Sequence, residues 1–261
     1  MDGMALFADT LESGGAVKRY RQKIHWQNVL TEWGIAWGVA GNALVGDKFS
    51  EKLRALVGSE NYDRYKTELI VEKCLKLMRQ QYAGTEEDIE VIVGICGTPA
   101  RDPKSRAVYL SNPEAHLYRG DSLTACLAPV NDYCIAGMDV TLAAFLLRAM
   151  RNPFLRMDEA LRLGVFTTNV MKEYASGVDG DTNVCVHKIG AQGWTPLLDR
   201  EIAAIESDFP VSAVEEHTTS FWVTHPKARN DSEINASDLR MRAIKQRKAK
   251  LSSSRKSKPG R

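Results

Sequence analysis

The residues of this chain that could take part in chemistry without help from a larger pattern are few. In "WGIAWGVAGNA" (33–43), Gly34, Gly38 and Gly41 interrupt an apolar run. Glycine weakens a strand, so its repetition points to a place where other backbone or a ligand comes close. The five histidines (His25, His116, His187, His217 and His225) show no metal-ligand spacing such as H-x₃-H, so no metal is expected. The five cysteines (Cys74, Cys96, Cys126, Cys134 and Cys185) are odd in number and form no C-x-x-C pair. They read as buried free thiols rather than as a disulfide framework or zinc knuckle. There is no phosphate-binding loop and no G-x-G-x-x-G, and no cofactor is expected.

The elements that must position these residues follow from composition and periodicity. With 44% hydrophobic and 26% charged residues over 261 positions, the chain has an ordinary globular composition and can bury a sizeable core. It holds no apolar run of membrane-spanning length and no basic-then-apolar leader, so a cytoplasmic location is expected. Ten Lys/Arg and one acidic residue fall in 238–261, against 25 basic and 32 acidic residues in 1–237. The body is acidic and the tail basic. The tail is too poor in large apolar groups to offset its ordering entropy, and 210–237 reads as an extension and linker leading to it. No aromatic interleaves with its charges to stack on bases, so nucleic acid is not an expected partner.

Along the body, the run MALFA (4–8) reads as a strand, and Asp2-Gly3 before it is a hairpin-turn dipeptide. Gly14-Gly15 marks a turn, and 16–28 holds one or two short strands. Leu44, Val45, Phe49, Leu53, Leu56 and Val57 recur at helical spacing directly after the glycine strand, and a second helix is expected over 60–82. A buried strand (88–97) and two short runs (106–112 and 115–120), divided by Asn112-Pro113 in hairpin fashion, come next. Helices are expected over 141–152 and 158–174, a strand over 183–189, and a short helix within 197–209. Helices arriving in pairs between groups of antiparallel strands predict an α+β domain over 1–209, a four-layer αββα sandwich rather than a βαβ alternation.

Several of these pieces, "DGMALFADT", the downstream "QKI", "GVAGNA" opening a helix, "CIAGMDVTLAAFLL", "MDEALRLGVFTTNVMKEY" and a Gly/Asp loop before "NVCVHKI", fall in one order over 2–195. In that order they resemble the proteasome β-type subunits of the N-terminal-nucleophile hydrolases. The resemblance implies a peptidase that self-associates into rings and acts on peptide or protein substrates. Its nucleophile would be an N-terminal Thr, Ser or Cys whose own α-amine, with a pKa of about 8, acts as base. It also implies that Asp9 orients the centre and that Lys23, with Lys18 as the alternative, favours the ionised nucleophile by its charge. The Gly41 N–H would then form the oxyanion hole and Val39 would line a specificity pocket, with Asp179 and Thr182 matching a later Asp-x-x-Ser element. Gly137-Met138-Asp139 departs from the family by lacking the serine hydroxyl that usually follows the glycine.

The family's nucleophile is also missing. It is expected about ten residues before the Asp2-Gly3 turn, on a first strand lost from the sequence as written. Met1 has no nucleophilic heteroatom, Asp2 is not readily uncovered, and cleavage before Thr10 would break the strand that carries Asp9. Two functions from different classes follow: a proteasome-like peptidase truncated at its N-terminus, or a catalytically silent subunit that assembles or binds. Gly120–Thr124 reads "GDSLT" and resembles the Ser122-type nucleophile motif of GDSL esterases, yet no histidine has an aspartate three residues before it. Taken without the family pattern, Asp9 and Lys23 read as a surface ion pair, Gly41 as a packing glycine, and Asp179 and Thr182 as turn and cap residues.

Overall fold

The computed structural model describes residues 3–14, 17–30, 33–58, 64–83, 87–97, 114–137, 140–150, 156–175, 178–189, 191 and 193–207. The chain opens with β1 (Gly3–Asp9), the short hairpin β2 (Leu11–Gly14) and β3 (Val17–Tyr20), then β4 (Ile24–Leu30) and β5 (Trp33–Gly41). Helices α1 (Ala43–Val57) and α2 (Arg64–Gln81) follow, then β6 (Ile89–Gly97), β7 (Glu114–Asp121) and β8 (Leu127–Val130). The last part holds α3 (Val140–Met150), α4 (Met157–Tyr174), β9 (Thr182–Lys188), β10 (Thr195–Pro196) and α5 (Asp199–Ser207). The fold is α+β and its described strand pairs are antiparallel, in sheets ordered β4-β5-β6-β7-β8 and β1-β9-β10, with β2-β3 apart.

Sequence accounts for most of these elements locally. Asn42 caps α1, its side chain accepting from the Val45 N–H at 3.2 Å, and Val45, Phe49, Leu53 and Val57 bury one helical face. Apart from Glu90, strand β6 is apolar because both its faces are covered. Ile89, Val91, Val93 and Ile95 pack with α1 and α2, while Ile92 and Cys96 face a second cluster containing Leu6, Ile24, Ala36, Cys185 and Trp194. A third cluster joins Leu161 and Val165 of α4 and Ile202 of α5 to Val184 and Val186 of β9.

The glycines of β5 have three different reasons. A side chain at Gly34 would meet Asn28 Oδ1 at 2.6 Å and the Trp194 ring at 3.2 Å, whereas Gly38 has nothing within 4 Å. Gly41 has φ +104°, and a Cβ there would run into the Asp88 carbonyl. Trp194 is the occupant that glycine makes room for. Its ring lies buried between strands, its Nε1–H donates to the Gly34 carbonyl at 3.3 Å, and Asn28 brackets its backbone, accepting from the N–H at 2.7 Å and donating to the carbonyl at 3.0 Å.

Two expectations need adjusting, and others fall outside what is described. Gly3 already belongs to β1, paired with Lys188, and Asp2 lies outside the described residues. Strands β2 and β3 pair antiparallel, Gly14 standing opposite Val17, while Gly15 of the expected Gly14-Gly15 turn lies outside the described residues. The strand expected at 106–112, with Asn112-Pro113, lies outside the described residues, as do Met138, Asp139, the extension over 210–237 and the basic tail over 238–261. Strand β7 pairs with β6 and β8.

Gly94 makes the packing of Trp194 testable, since a Cβ there would run into the indole ring and lie 2.8 Å from Met4 Sδ. Gly94→Ala is expected to lower stability by about 1–3 kcal/mol through overpacking, read from urea denaturation midpoints. Gly38→Ala, with open space around it, serves as the control and is expected to be neutral or mildly stabilising.

Candidate functional site

Several chain ends meet at one place. β1 finishes at Asp9, which stands opposite Thr182, the first residue of β9. β4 starts one residue after Lys23, with Ile24 opposite Gly38 of β5. The Lys23 Nζ lies 2.7 Å from Asp9 Oδ1, the two side chains being 25% and 12% exposed. Asp9 Oδ2 accepts from the Leu11 N–H at 3.2 Å and the Asp179 N–H at 3.3 Å. The backbone N–H of Lys23 donates to Asn183 Oδ1 at 3.1 Å, so this lysine is fixed at both ends. Charge-assisted bonds of this kind are shorter and stronger than neutral ones.

The loop before β9 is stitched to the same strand end. The Leu11 N–H also donates to the Asp179 carbonyl at 3.1 Å, the Asp181 N–H to Thr10 Oγ1 at 2.8 Å, and the Arg21 N–H to the Thr10 carbonyl at 2.9 Å. Tyr20, at the end of β3, donates from its hydroxyl to Asp179 Oδ2 at 3.2 Å, and this bond to a carboxylate raises its pKa above 10.0. Gly180 has φ +78°, and a Cβ there would run into Thr10 Oγ1. Only glycine fits that bend between Tyr20 and Thr10 without strain.

The structure brings Asp9, Lys23 and the Asp179 backbone together and directs the Thr182 hydroxyl elsewhere. Thr182 is buried, its Oγ1 accepting from Lys172 Nζ at 2.6 Å and donating to Glu206 Oε1 at 3.3 Å. Gly41 is exposed at the end of β5. Its partner Ile89 gives both backbone groups to Ser122, the N–H to Oγ at 3.0 Å and the carbonyl to the Ser122 N–H at 2.9 Å. Because antiparallel ladders alternate, the Gly41 N–H therefore points away from β6, on the side where β4 has not yet begun. Val39 is half-buried against α1, where a Cβ on Gly46 would meet it at 3.1 Å. Gly137 donates its N–H to Glu90 Oε2 at 3.1 Å. Lys18 pairs with Ser13 through the backbone, and its side chain lies outside the described residues.

The other candidates have structural tasks. Ser122 is buried and its hydroxyl extends the β6–β7 ladder, which removes the basis for an esterase reading. Burial pushes the thiols of Cys74 and Cys134 up to about 11 and those of Cys96 and Cys185 up to about 12, so they are not thiolates at neutral pH. Among the described residues, no group of three or more His, Cys, Asp or Glu could hold a metal ion, and no helix is long and apolar enough to cross a membrane. Sequence reading missed Asn183, Tyr20, Lys172 and Glu206. The polar Thr182-Asn183 pair before the apolar Val184–Val186 run of β9 was the signal available for Asn183.

No family model matches the sequence, and no curated protein matches it. Solved structures do match in fold. Anbu (ancestral beta-subunit) from Yersinia bercovieri is 11% identical, with 85% of this chain and 93% of that chain covered at a TM-score of 0.64. A helical assembly of the Anbu complex from Pseudomonas aeruginosa is 12% identical, over 84% and 92%, at 0.65. Anbu from Hyphomicrobium sp. strain MC1 is 12% identical, over 84% and 94%, at 0.61. The expected kinship with proteasome β-type subunits is thereby corrected. The similar structures are Anbu proteins, a distinct family that is proteasome-like in fold. Ordered strand and helix patterns of the kind quoted above specify a fold, and a fold is shared by more than one family.

Gly180→Ala tests whether the loop before β9 is held as described. The substitution is expected to cost about 1–3 kcal/mol, because a positive φ and a close neighbour act together. Amide exchange at Asp179 and Asp181 should accelerate with it, whereas unchanged exchange would contradict the stitched loop.

Proposed function

We propose that this chain is a subunit of a self-assembling complex of the Anbu kind, whose Asp9–Lys23 centre serves amide-bond hydrolysis in protein degradation. The observation that carries the reading is the Lys23 ammonium held 2.7 Å from Asp9 at a meeting of strand ends, with the exposed Gly41 at the neighbouring end of β5. An ammonium fixed by a carboxylate stabilises an ionised hydroxyl or thiol beside it, and an outward backbone N–H stabilises the oxyanion that forms when a peptide carbonyl is attacked. Val39, at the same end of β5, would wall a side-chain pocket for a peptide or protein substrate. The frame proposed for this centre is a four-layer αββα sandwich, supported by apolar clusters on both sides of β6 and on the α4 side of β9. Self-association draws on the helical assembly recorded for the Pseudomonas protein, and a cytoplasmic location belongs to the same proposal.

A second reading, an assembling subunit without turnover, is favoured by one specific observation. The two hydroxyls nearest Asp9 along the chain and across the strand pair are committed: Thr10 accepts from Asp181, and Thr182 lies between Lys172 and Glu206. The readings separate in one experiment on the purified chain, combining mass photometry with a panel of fluorogenic peptides. Hydrolysis needs a hydroxyl or thiol beside Lys23, which neither Thr10 nor Thr182 supplies. It is therefore expected of wild type bearing a Thr, Ser or Cys ahead of the Asp2-Gly3 step, falling about 100-fold or more in Lys23→Met while the assembly mass is retained. Assembly without wild-type turnover supports the second reading, and a monomer without turnover overturns both.

A further inference from the structure

Lys172 stands in the last turn of α4, where a lysine ordinarily points to solvent and complements the helix dipole. Here it points inward. Its Nζ donates to Thr182 Oγ1 at 2.6 Å, the same hydroxyl donates to Glu206 Oε1 of α5 at 3.3 Å, and Thr182 is the strand partner of Asp9. Directly paired residues on antiparallel strands present side chains to the same face about 5 Å apart. The ammonium is thus one residue removed from the Asp9 carboxylate. We propose that Lys172 is a positioning residue of the Asp9–Lys23 centre, tying α4 and α5 to the strand position opposite Asp9 and supplying the centre's second fixed positive charge.

The charge count around it supports this. Four carboxylates bear on Lys172: Glu206 from α5, Asp181 and Asp179 from the loop before β9, and Asp9 from β1. Lys23, the other ammonium of the centre, is bound to Asp9. Burial lowers the pKa of Lys172 more than these carboxylates restore it, so the lysine carries a desolvation cost that an apolar side chain of similar length would not. Thr182 supplies the geometry: at 4% exposure its hydroxyl has no alternative partner in water, so it holds whichever orientation Lys172 and Glu206 impose.

The inference rests on the hydrolytic reading for its consequence in catalysis, but not for its electrostatics, and the test keeps the two apart. Full-length wild type, Lys172→Met and Lys172→Arg are compared by urea denaturation between pH 4 and pH 7 and by peptide hydrolysis over the same range. The folded-state pKa of Lys172 is lowered, so its own titration raises stability only as pH climbs toward 10.5, outside that range. What changes between pH 4 and 7 is the ionisation of the carboxylates. The stability of Lys172→Met relative to wild type is therefore expected to fall as pH climbs from 4 to 7 and the carboxylates ionise, whereas Lys172→Arg should follow the wild type. In the hydrolysis assay Lys172→Met is expected to lower kcat on the order of tenfold or more with KM little changed, and to move the acid limb of the pH profile, with Lys172→Arg recovering both. If the wild type hydrolyses nothing, the hydrolytic reading fails and the stability series alone decides Lys172. A stability difference that does not change with pH overturns the proposal even in an active enzyme.

Discussion

One carboxylate organises this end of the molecule. Asp9 accepts from the Lys23 ammonium on one oxygen and from two backbone N–H groups on the other. Those donors belong to the start of β4, the start of β2 and the loop before β9, the last of them 170 residues from Asp9 in sequence. An ionised carboxylate at 12% exposure is costly unless each oxygen is satisfied, and a quarter-exposed lysine is costly without its counter-ion. Each group therefore makes the other tolerable. The loop that presents Asp179 can keep its tight bend at Gly180 because Asp9, Thr10 and Tyr20 hold it at several points.

The precision of that centre derives from the layers behind it. Strands β5 and β6 are covered on both faces, and Trp194, bracketed by Asn28, fills the space that Gly34 and Gly94 leave open. Side chains at the ends of strands locked this way inherit the position of the strand, which a site built on free loops does not. Lys172 extends the same logic to the helices, since it ties α4 and α5 to the position opposite Asp9.

What was legible in the sequence is what repeats locally. The helical spacing of α1, the apolar run of β6 from Val91 and the patterned α4 emerge at or near their observed bounds, because burial on one or two faces leaves a readable signature. Asp9 and Lys23 are adjacent in space, as the plain ion-pair reading and the family resemblance both require. The residues that were missed depend on contacts that no local pattern encodes. Lys172 looks like any lysine near a helix end, Tyr20 like any aromatic on a short strand, and the partners of both lie across the fold. "GDSLT" is the opposite case: a motif with chemical associations, already lacking its D-x-x-H partner in the sequence, is Ser122 completing a backbone ladder. The family expectation overreached for a related reason, since the order of elements carries the fold and not the identity of the family within it.

The account stands on Asp9 and Lys23 acting as one electrostatic unit, and a double-mutant cycle measures that most directly. Asp9→Asn, Lys23→Met and the double substitution are compared by equilibrium unfolding at neutral pH and low salt. The pair is more enclosed than the surface ion pairs that yield about 0.2–1 kcal/mol, so a coupling of about 1 kcal/mol or more is expected. Single substitutions that add to within about 0.3 kcal/mol would contradict it, because each group would then hold its place without the other.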